Sequence, residues 1–491
     1  PAETESNHAI AIPQSIPRTS SCSVGSESSS SSLGWVQYQV NDSTRRLVPS
    51  GAGSNSGRRQ RGRIRALTQD QRKNAALMRV VKACSNCRRR KERCDPGIPC
   101  RSCIEHYKSD LVYHPCREKL LADLTMVFLS ERTGWHPTAR TLDSFLGRSD
   151  YTISGMTYTV PLSLGFGPYI HRTVHHVRPA DSSALYHQHI IYDWPPRNSA
   201  GSSRTHAVFP AILTSTTSLK QDIDAHLSLL VTLHFRAFPL YCSSLRVLRD
   251  IYVLYKSLPA TSSQILLQAL KLLVLVHIGG DITTCATDPA VASIMTSAGL
   301  PLTDSTGAPV SPTPCFIRAQ FGAVMPALAQ ELMRDILARL ERLALSRQCA
   351  QWPVILSTFA VLLMIVESTQ YHAAKIAYHA RYDSGPAVAE REQERKVGRE
   401  LDEQGVDALL NFYKACYGGC HARLREDWLG EEEEGVNGMG KGSAAERFVT
   451  AMRTAIRNAN EGGYLKERGL MKIESSKGGF SCFFDRLLAR L

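Results

Sequence analysis

Cys84-Ser85-Asn86-Cys87-Arg88-Arg89-Arg90-Lys91-Glu92-Arg93-Cys94, running on through Asp95-Pro96-Gly97-Ile98-Pro99 to Cys100-Arg101-Ser102-Cys103, decides how this chain is read. With Cys116 the spacing is C-x2-C-x6-C-x5-C-x2-C-x12-C. Each C-x2-C unit projects two sulfurs from one tight turn, so paired units at short range reach a tetrahedral metal. Six thiolates are too many for one tetrahedral zinc and two short of filling two separate ones. Sharing two bridging sulfurs gives two Zn2+ ions four sulfurs each. Cys84, Cys87, Cys94, Cys100, Cys103 and Cys116 are therefore the candidate metal ligands. The x6 gap is expected to carry a helix of about two turns, Arg88 to Arg93. A module this small would be unfolded without its metal, so metal affinity is its folding free energy.

The charge around the cysteines says what such a helix is for. Residues 57–119 hold 18 Lys/Arg against 6 Asp/Glu, which accounts for nearly all of the chain's net +13. A local basic patch of this kind is the electrostatic footprint of a nucleic-acid module. Arg88, Arg89, Arg90, Lys91 and Arg93 are the candidate DNA-binding residues. Massing thiols in one Lys/Arg-rich segment fits metal binding in a reducing compartment better than a disulfide framework.

The segment Cys84–Cys103 resembles the fungal zinc binuclear-cluster (six-cysteine) transcription factors in its Cys-Arg-Arg-Arg-Lys run and proline-containing loop. The resemblance implies a sequence-specific, RNA polymerase II type transcription regulator in the nucleus that binds double-stranded DNA. It also implies bridging by Cys84 and Cys100, and base contacts from Arg90 and especially Lys91, typically to a CGG-like triplet. Arg88, Arg89 and Arg93 would then face phosphates. Cations at a helix tip in the major groove find the O6 and N7 acceptors of guanine. The final gap departs from the family, being longer than usual. A strict repeat of the first half would put the sixth thiolate at Asp110. A longer loop from His106 to Pro115 before Cys116 is the expected solution, the alternative being that His106 or His114 completes the second site.

Outward from the cluster, residues 1–56 form a Ser/Gly-rich tail that is expected to be disordered, because it cannot bury enough apolar surface to offset ordering. No secretory signal is visible at its start. Residues 57–83 form a basic arm and helix. The run Arg58–Arg65 reads as a nuclear-import signal or phosphate-contacting arm. Thr68 with Gln71 resembles a capping box opening a helix over 69–82. The module proper is 84–116, and 117–149 is a linker with a short helix around Leu121, Leu124 and Phe128. No apolar heptads follow, so no coiled coil is expected. Residues 150–210 suggest short strands or irregular structure, and 211–491 a mainly helical regulatory or interaction domain. Helices are expected over 218–236, 243–257, 262–278, 316–346, 352–381, 387–417, 443–459 and 480–490. In 316–346, Leu328, Leu332, Ile336, Leu340 and Leu343 make one buried stripe. The apolar run Trp352–Val366 is too short to span a bilayer, so a soluble protein with no membrane partner is expected.

Weaker signals lie elsewhere. Cys416-x3-Cys420-His421 is a metal candidate that more often marks a glycine-terminated helix end. His175-His176 and His187-x-His189 have no carboxylate or cysteine partner at a telling spacing. Glu431–Glu434 reads as a solvated connector or an acidic activation element. No nucleophile elbow, phosphate loop or H-E-x-x-H motif argues for an enzyme. Two readings compete with sequence-specific DNA binding. One is a single-zinc ribbon on Cys84, Cys87, Cys100 and Cys103; the other is a zinc-stapled protein- or RNA-interaction module. The family resemblance assigns partner binding or ligand sensing to the helical region, which leaves transcription machinery or self-association as possible partners.

Overall fold

The computed structural model describes residues 38–41, 46–49, 68, 71–72, 74–75, 78–79, 82–95, 100–107, 116, 121–129, 151–190, 203–242, 246–346, 348–380, 387–425, 442–461 and 487. Residues 1–66 and 67–491 form separate units. In the first, β1 (Tyr38–Asn41) pairs antiparallel with β2 (Arg46–Pro49), Tyr38 opposite Pro49. This hairpin lies in the segment expected to lack structure. The basic run 58–65, the acidic Glu431–Glu434 connector and all of 480–490 except Leu487 lie outside the described residues.

The second unit opens on the capping box. Thr68 N–H donates to Gln71 Oε1 at 3.2 Å, and Gln71 N–H to Thr68 Oγ1 at 3.3 Å. The described residues within 71–79 are helical. Two short helices follow in the cysteine module, α1 (Ser85–Arg90) and α2 (Arg101–Tyr107). A 3-10 turn, Leu121–Leu124, then leads into α3 (Thr125–Phe128).

The β-rich stretch is more regular than its composition suggests. β3 (Tyr151–Ser163) pairs antiparallel with β4 (Ile170–Pro179), with a bulge between Ile153 and Thr157. A second ladder joins β5 (Tyr186–Ile190) to β6 (Ser203–Ala207). β7 (Ala211–Leu213) adds to β4, and the late strand β8 (Thr283–Thr284) adds to β3, giving the order β7-β4-β3-β8. Apart from its last residues, opposite β8, β3 runs along an edge. Pro161 withdraws its missing N–H from the ladder there at no cost.

Helices make up most of the remainder: α4 (Leu219–Leu229), α5 (Val247–Ser257), α6 (Ala260–Ile278), α7 (Pro289–Ser297), α8 (Cys315–Gly322), α9 (Met325–Ser346), α10 (Trp352–Ala380), α11 (Ala387–His421) and α12 (Ala444–Glu461). α4 runs on into a π-helical turn, Leu230–His234. The helix expected over 316–346 is two, α8 and α9. Gly322 closes the first, and Pro326 sits in the opening turn of the second, where a missing N–H is harmless. Leu328, Leu332, Ile336 and Leu340 are buried and Leu343 partly so.

α6 and α10 are the central pair. α6 is apolar on every side from Leu266 to Val276, the pattern of a helix surrounded by protein. Its one buried cation, Lys271, pairs with Asp224 at 2.5 Å. It ends at Gly279, whose φ of 57° and close approach to the His372 ring leave no room for a Cβ. The helix built on the Trp352–Val366 run is longer than that run. Both α6 and the stretch Cys349–His372 are apolar and long enough to cross a bilayer, yet most of each is buried inside the fold. Val160 and Leu162 of β3, and Phe209 between β6 and β7, share one apolar cluster with these helices.

Candidate zinc centre and nucleic-acid interface

Sulfur itself starts α1. Cys84 has an extended backbone, and its Sγ accepts from Cys87 N–H at 3.3 Å, the place a serine or aspartate oxygen usually takes at a helix start. The helix therefore begins between the first two cysteines, three residues earlier than Arg88, and covers Ser85–Arg90. It stops at Lys91, which is left-handed at φ 56°. There Lys91 N–H bonds Arg88 C=O and Glu92 N–H bonds Cys87 C=O. Lys91 and Arg93 thus lie beyond the helix, on the turn that closes it.

The second half repeats the plan. Ile104 N–H donates to Cys100 C=O at the start of α2, and Arg101 N–H donates to Asp95 Oδ2 at 2.7 Å. Cys100 N–H points at Cys116 Sγ, 3.0 Å away. Across the halves, Cys84 Sγ lies 3.6 Å from Cys103 Sγ and 4.0 Å from Cys100 Sγ. Cys87 Sγ lies 3.5 Å from Cys100 Sγ.

These sulfurs fall into two groups of four, Cys84-Cys87-Cys94-Cys100 and Cys84-Cys100-Cys103-Cys116, with all atoms of each group within 4.8 Å of one another. The groups share Cys84 and Cys100. Five of the six cysteines are buried, with Cys94 partly so. Burial pushes the Cys100 thiol up strongly and takes Cys103 up to about 12. Burial opposes ionisation of Cys84 as well, but Cys87 N–H and neighbouring thiols outweigh it and bring that group down to about 7. Buried, crowded sulfurs of this kind ionise together only around a cation, and their number and mutual distances suit two zinc ions. His106 belongs to neither group; its ring stands edge-on to Tyr107 at 4.8 Å. His114 and Asp110 lie outside the described residues.

The cationic residues divide sharply. Arg88, Arg89, Lys91 and Arg93 are exposed. Arg88 reaches back to Ala83 C=O at 3.3 Å, and Arg89 donates to Asn86 Oδ1 at 3.1 Å. Arg90 is turned inward, with its side chain only 13% exposed. Its Nη2 donates to Ser102 Oγ at 2.8 Å and to Ser102 C=O at 3.3 Å, and it pairs with Glu92 at 2.9 Å. Its guanidinium carbon stacks 4.9 Å from the centre of the Tyr107 ring. Ser102 Oγ also bonds Glu92 Oε2. Sequence reasoning missed Ser102, Glu92 and Tyr107 as parts of this brace. The one acid inside the basic run was the available signal for it.

The weaker candidates do not assemble. His175 Nδ1 lies against Ser154 C=O, and buried His176 against Ser297 Oγ. In the backbone register of the β5–β6 ladder, His187 is paired with His206 and His189 with Arg204. Cys416, Cys420 and His421 do not gather into a metal-holding group among the described residues. His421 Nδ1 instead lies 3.0 Å from Tyr413 Oη.

Residues 82–117 match the fungal Zn(2)-Cys(6) binuclear cluster domain, which holds two zinc ions through six cysteines. With the sulfur geometry above, this makes the chain a zinc-dependent DNA-binding transcription regulator. Residues 123–491, three quarters of the chain, match the KpeA transcription factor family, and the chain belongs to it. Neither the curated proteins nor the solved structures include a match.

Proposed function

We propose that the protein is a nuclear regulator of RNA polymerase II transcription that reads CGG-like half-sites with the turn closing α1. Lys91 is the base-reading residue. Its left-handed backbone lifts it off the helix end, and its side chain is exposed. Arg88, Arg89 and Arg93 engage phosphates on either side. Arg90 is assigned a different part from the one its place in the basic run implies: it ties the two halves of the module together. Cys84 and Cys100, common to both sulfur groups, would be shared between the two zinc ions, with Cys87 and Cys94 holding one ion and Cys103 and Cys116 the other. When bound, zinc would neutralise the crowded thiolates and hold α1 beside α2; direct contact with DNA belongs to the cations.

The observation that carries this reading is the pair of four-sulfur groups sharing Cys84 and Cys100, with four exposed cations on the adjoining helix and turn. The zinc-loaded full chain should be presented with a random duplex pool, and affinity for the selected site measured across salt. The affinity should fall steeply with salt, since each phosphate contact adds about −0.9 to the log–log slope. Lys91→Ala should flatten the preference among sequences, by about 1–3 kcal/mol for the base it reads. Arg89→Ala should weaken all duplexes alike. An unchanged preference in Lys91→Ala would assign base reading elsewhere.

A further inference from the structure

Far from the zinc centre in sequence, two thiols meet. Cys349 lies in the 3-10 turn Cys349–Gln351 that opens α10, and Cys420 in the last turn of α11. Their Sγ atoms are 3.8 Å apart across 71 residues of chain, and both residues are half-buried.

Their neighbours hold them in register. Trp352 Nε1–H donates to Tyr413 Oη at 2.9 Å, and Tyr413 Oη lies 3.0 Å from His421 Nδ1. Trp352 is three residues beyond Cys349, and His421 directly follows Cys420. This buried polar chain therefore joins the same two helix ends that carry the sulfurs. Burial raises the Tyr413 hydroxyl well above its ordinary range and lowers His421 to about 4, so both stay neutral and the chain persists at physiological pH.

The remaining movement is small and local. A disulfide needs the sulfurs about 2.05 Å apart. α11 is already irregular at Tyr417, whose φ and ψ are −131° and 16°. Gly418 and Gly419 then lead into Cys420, and a Cβ at Gly419 would meet nothing within 4 Å. The backbone before Cys420 has room to adjust without displacing packed side chains.

We propose that Cys349 and Cys420 are an oxidant-responsive dithiol that closes to a disulfide when hydrogen peroxide reaches it. One thiolate attacks the peroxide: an S–O bond forms, the O–O bond breaks, and the leaving oxygen departs as water after taking a proton. The second thiolate attacks the resulting sulfenic sulfur, the S–S bond forms, the S–O bond breaks, and the sulfenic oxygen takes a proton and leaves as a second water. Two thiols are oxidised and one peroxide is reduced to two waters. The product fastens the start of α10 to the end of α11.

The zinc-loaded, reduced full chain should be titrated with hydrogen peroxide, with zinc release followed by a chromophoric chelator. Peptides would be mapped by mass spectrometry without reduction. The expected result is a Cys349–Cys420 linked peptide that forms before zinc is released and is reversed by dithiothreitol. The thermal midpoint of the oxidised protein should rise. Cys349→Ser and Cys420→Ser should each abolish the link and that rise while folding normally, and Cys416→Ser should leave both intact. Separate sulfinic acids at the two positions, a Cys416–Cys420 link, or oxidation confined to the six zinc-cluster cysteines would overturn the proposal.

Discussion

Arg90 shows how one position in a run of like residues is singled out by its surroundings. Its neighbours Arg89 and Lys91 face water, while its own guanidinium is held by Ser102, Glu92 and the Tyr107 ring. Hydrogen bonds to a charged group contribute about 1.5–3 kcal/mol each. Arg90→Ala should therefore speed zinc transfer to a chelator by about ten-fold or more. Arg90→Lys should rescue little, because an ammonium lacks the flat guanidinium that lies over the Tyr107 ring while its Nη2 reaches Ser102 and Glu92. Unchanged zinc transfer combined with lost base preference would return Arg90 to the DNA-reading set.

A second residue makes a pH prediction. Asp402 is 1% exposed; its Oδ2 accepts from Gln370 Nε2 at 3.2 Å, and its Oδ1 has no hydrogen-bond partner among the described residues. Burial raises this carboxyl to about 7. Between about pH 4, where the unfolded carboxyl ionises, and pH 7, the unfolded state loses a proton that the folded state keeps. Stability should fall across that window and level off above it. Asp402→Asn removes the penalty. It should raise the unfolding free energy near pH 8 by a few kcal/mol, at most about 4, and do little near pH 4. Denaturant titrations at the two pH values check this.

At the scale of elements, Gly405 in α11 tests packing against propensity. A Cβ there would come within 2.8 Å of the Phe128 ring and 3.0 Å of Val127, where the segment after the zinc module inserts. Gly-to-Ala in a helix ordinarily gains about 1 kcal/mol. Gly405→Ala should lower the thermal midpoint nonetheless, since overpacking costs typically 1–3 kcal/mol. Gly419→Ala, with open space around it, should not lower it.

The same elements show what could be read from sequence. The α9 stripe was legible because its leucines recur at helical spacing, and the capping box because its two side chains are diagnostic. The cysteine spacing led to the sulfur groups because the ligands are close in sequence. The length of β3 was hidden, as Gly155 and Pro161 interrupt its pattern and β8, which pairs with its last residues, lies 120 residues away. α7 is short, and its start at Asp288-Pro289 was passed over. The Asp288 carboxylate there accepts from Ala290 and Val291 N–H at 3.0 and 3.1 Å. The inward turn of Arg90 was illegible because Ser102 and Tyr107 come from the other half of the module.

For the whole molecule, the cysteine module and the helical body have separate interiors: one of sulfur, the other of interlocked apolar side chains. Stripping zinc with a strong chelator should therefore abolish DNA binding while leaving most far-UV helical signal and the thermal transition of the body. Collapse of both together would show that the body depends on the metal.

The anchoring of residues 121–129 bears on how such a protein measures DNA. Leu121 N–H is tied to Glu341 Oε2 at 2.9 Å, Leu129 C=O accepts from Gln330 Nε2 at 3.0 Å, and Phe128 is fully enclosed. From Cys116 to that anchorage the chain can stretch at most about 18 Å. With so short a tether, the finger cannot roam along a duplex independently of the mass behind it. If two such chains associate through their bodies, the gap between the DNA sites they grip is a dimension of the bodies, a ruler cut in helices.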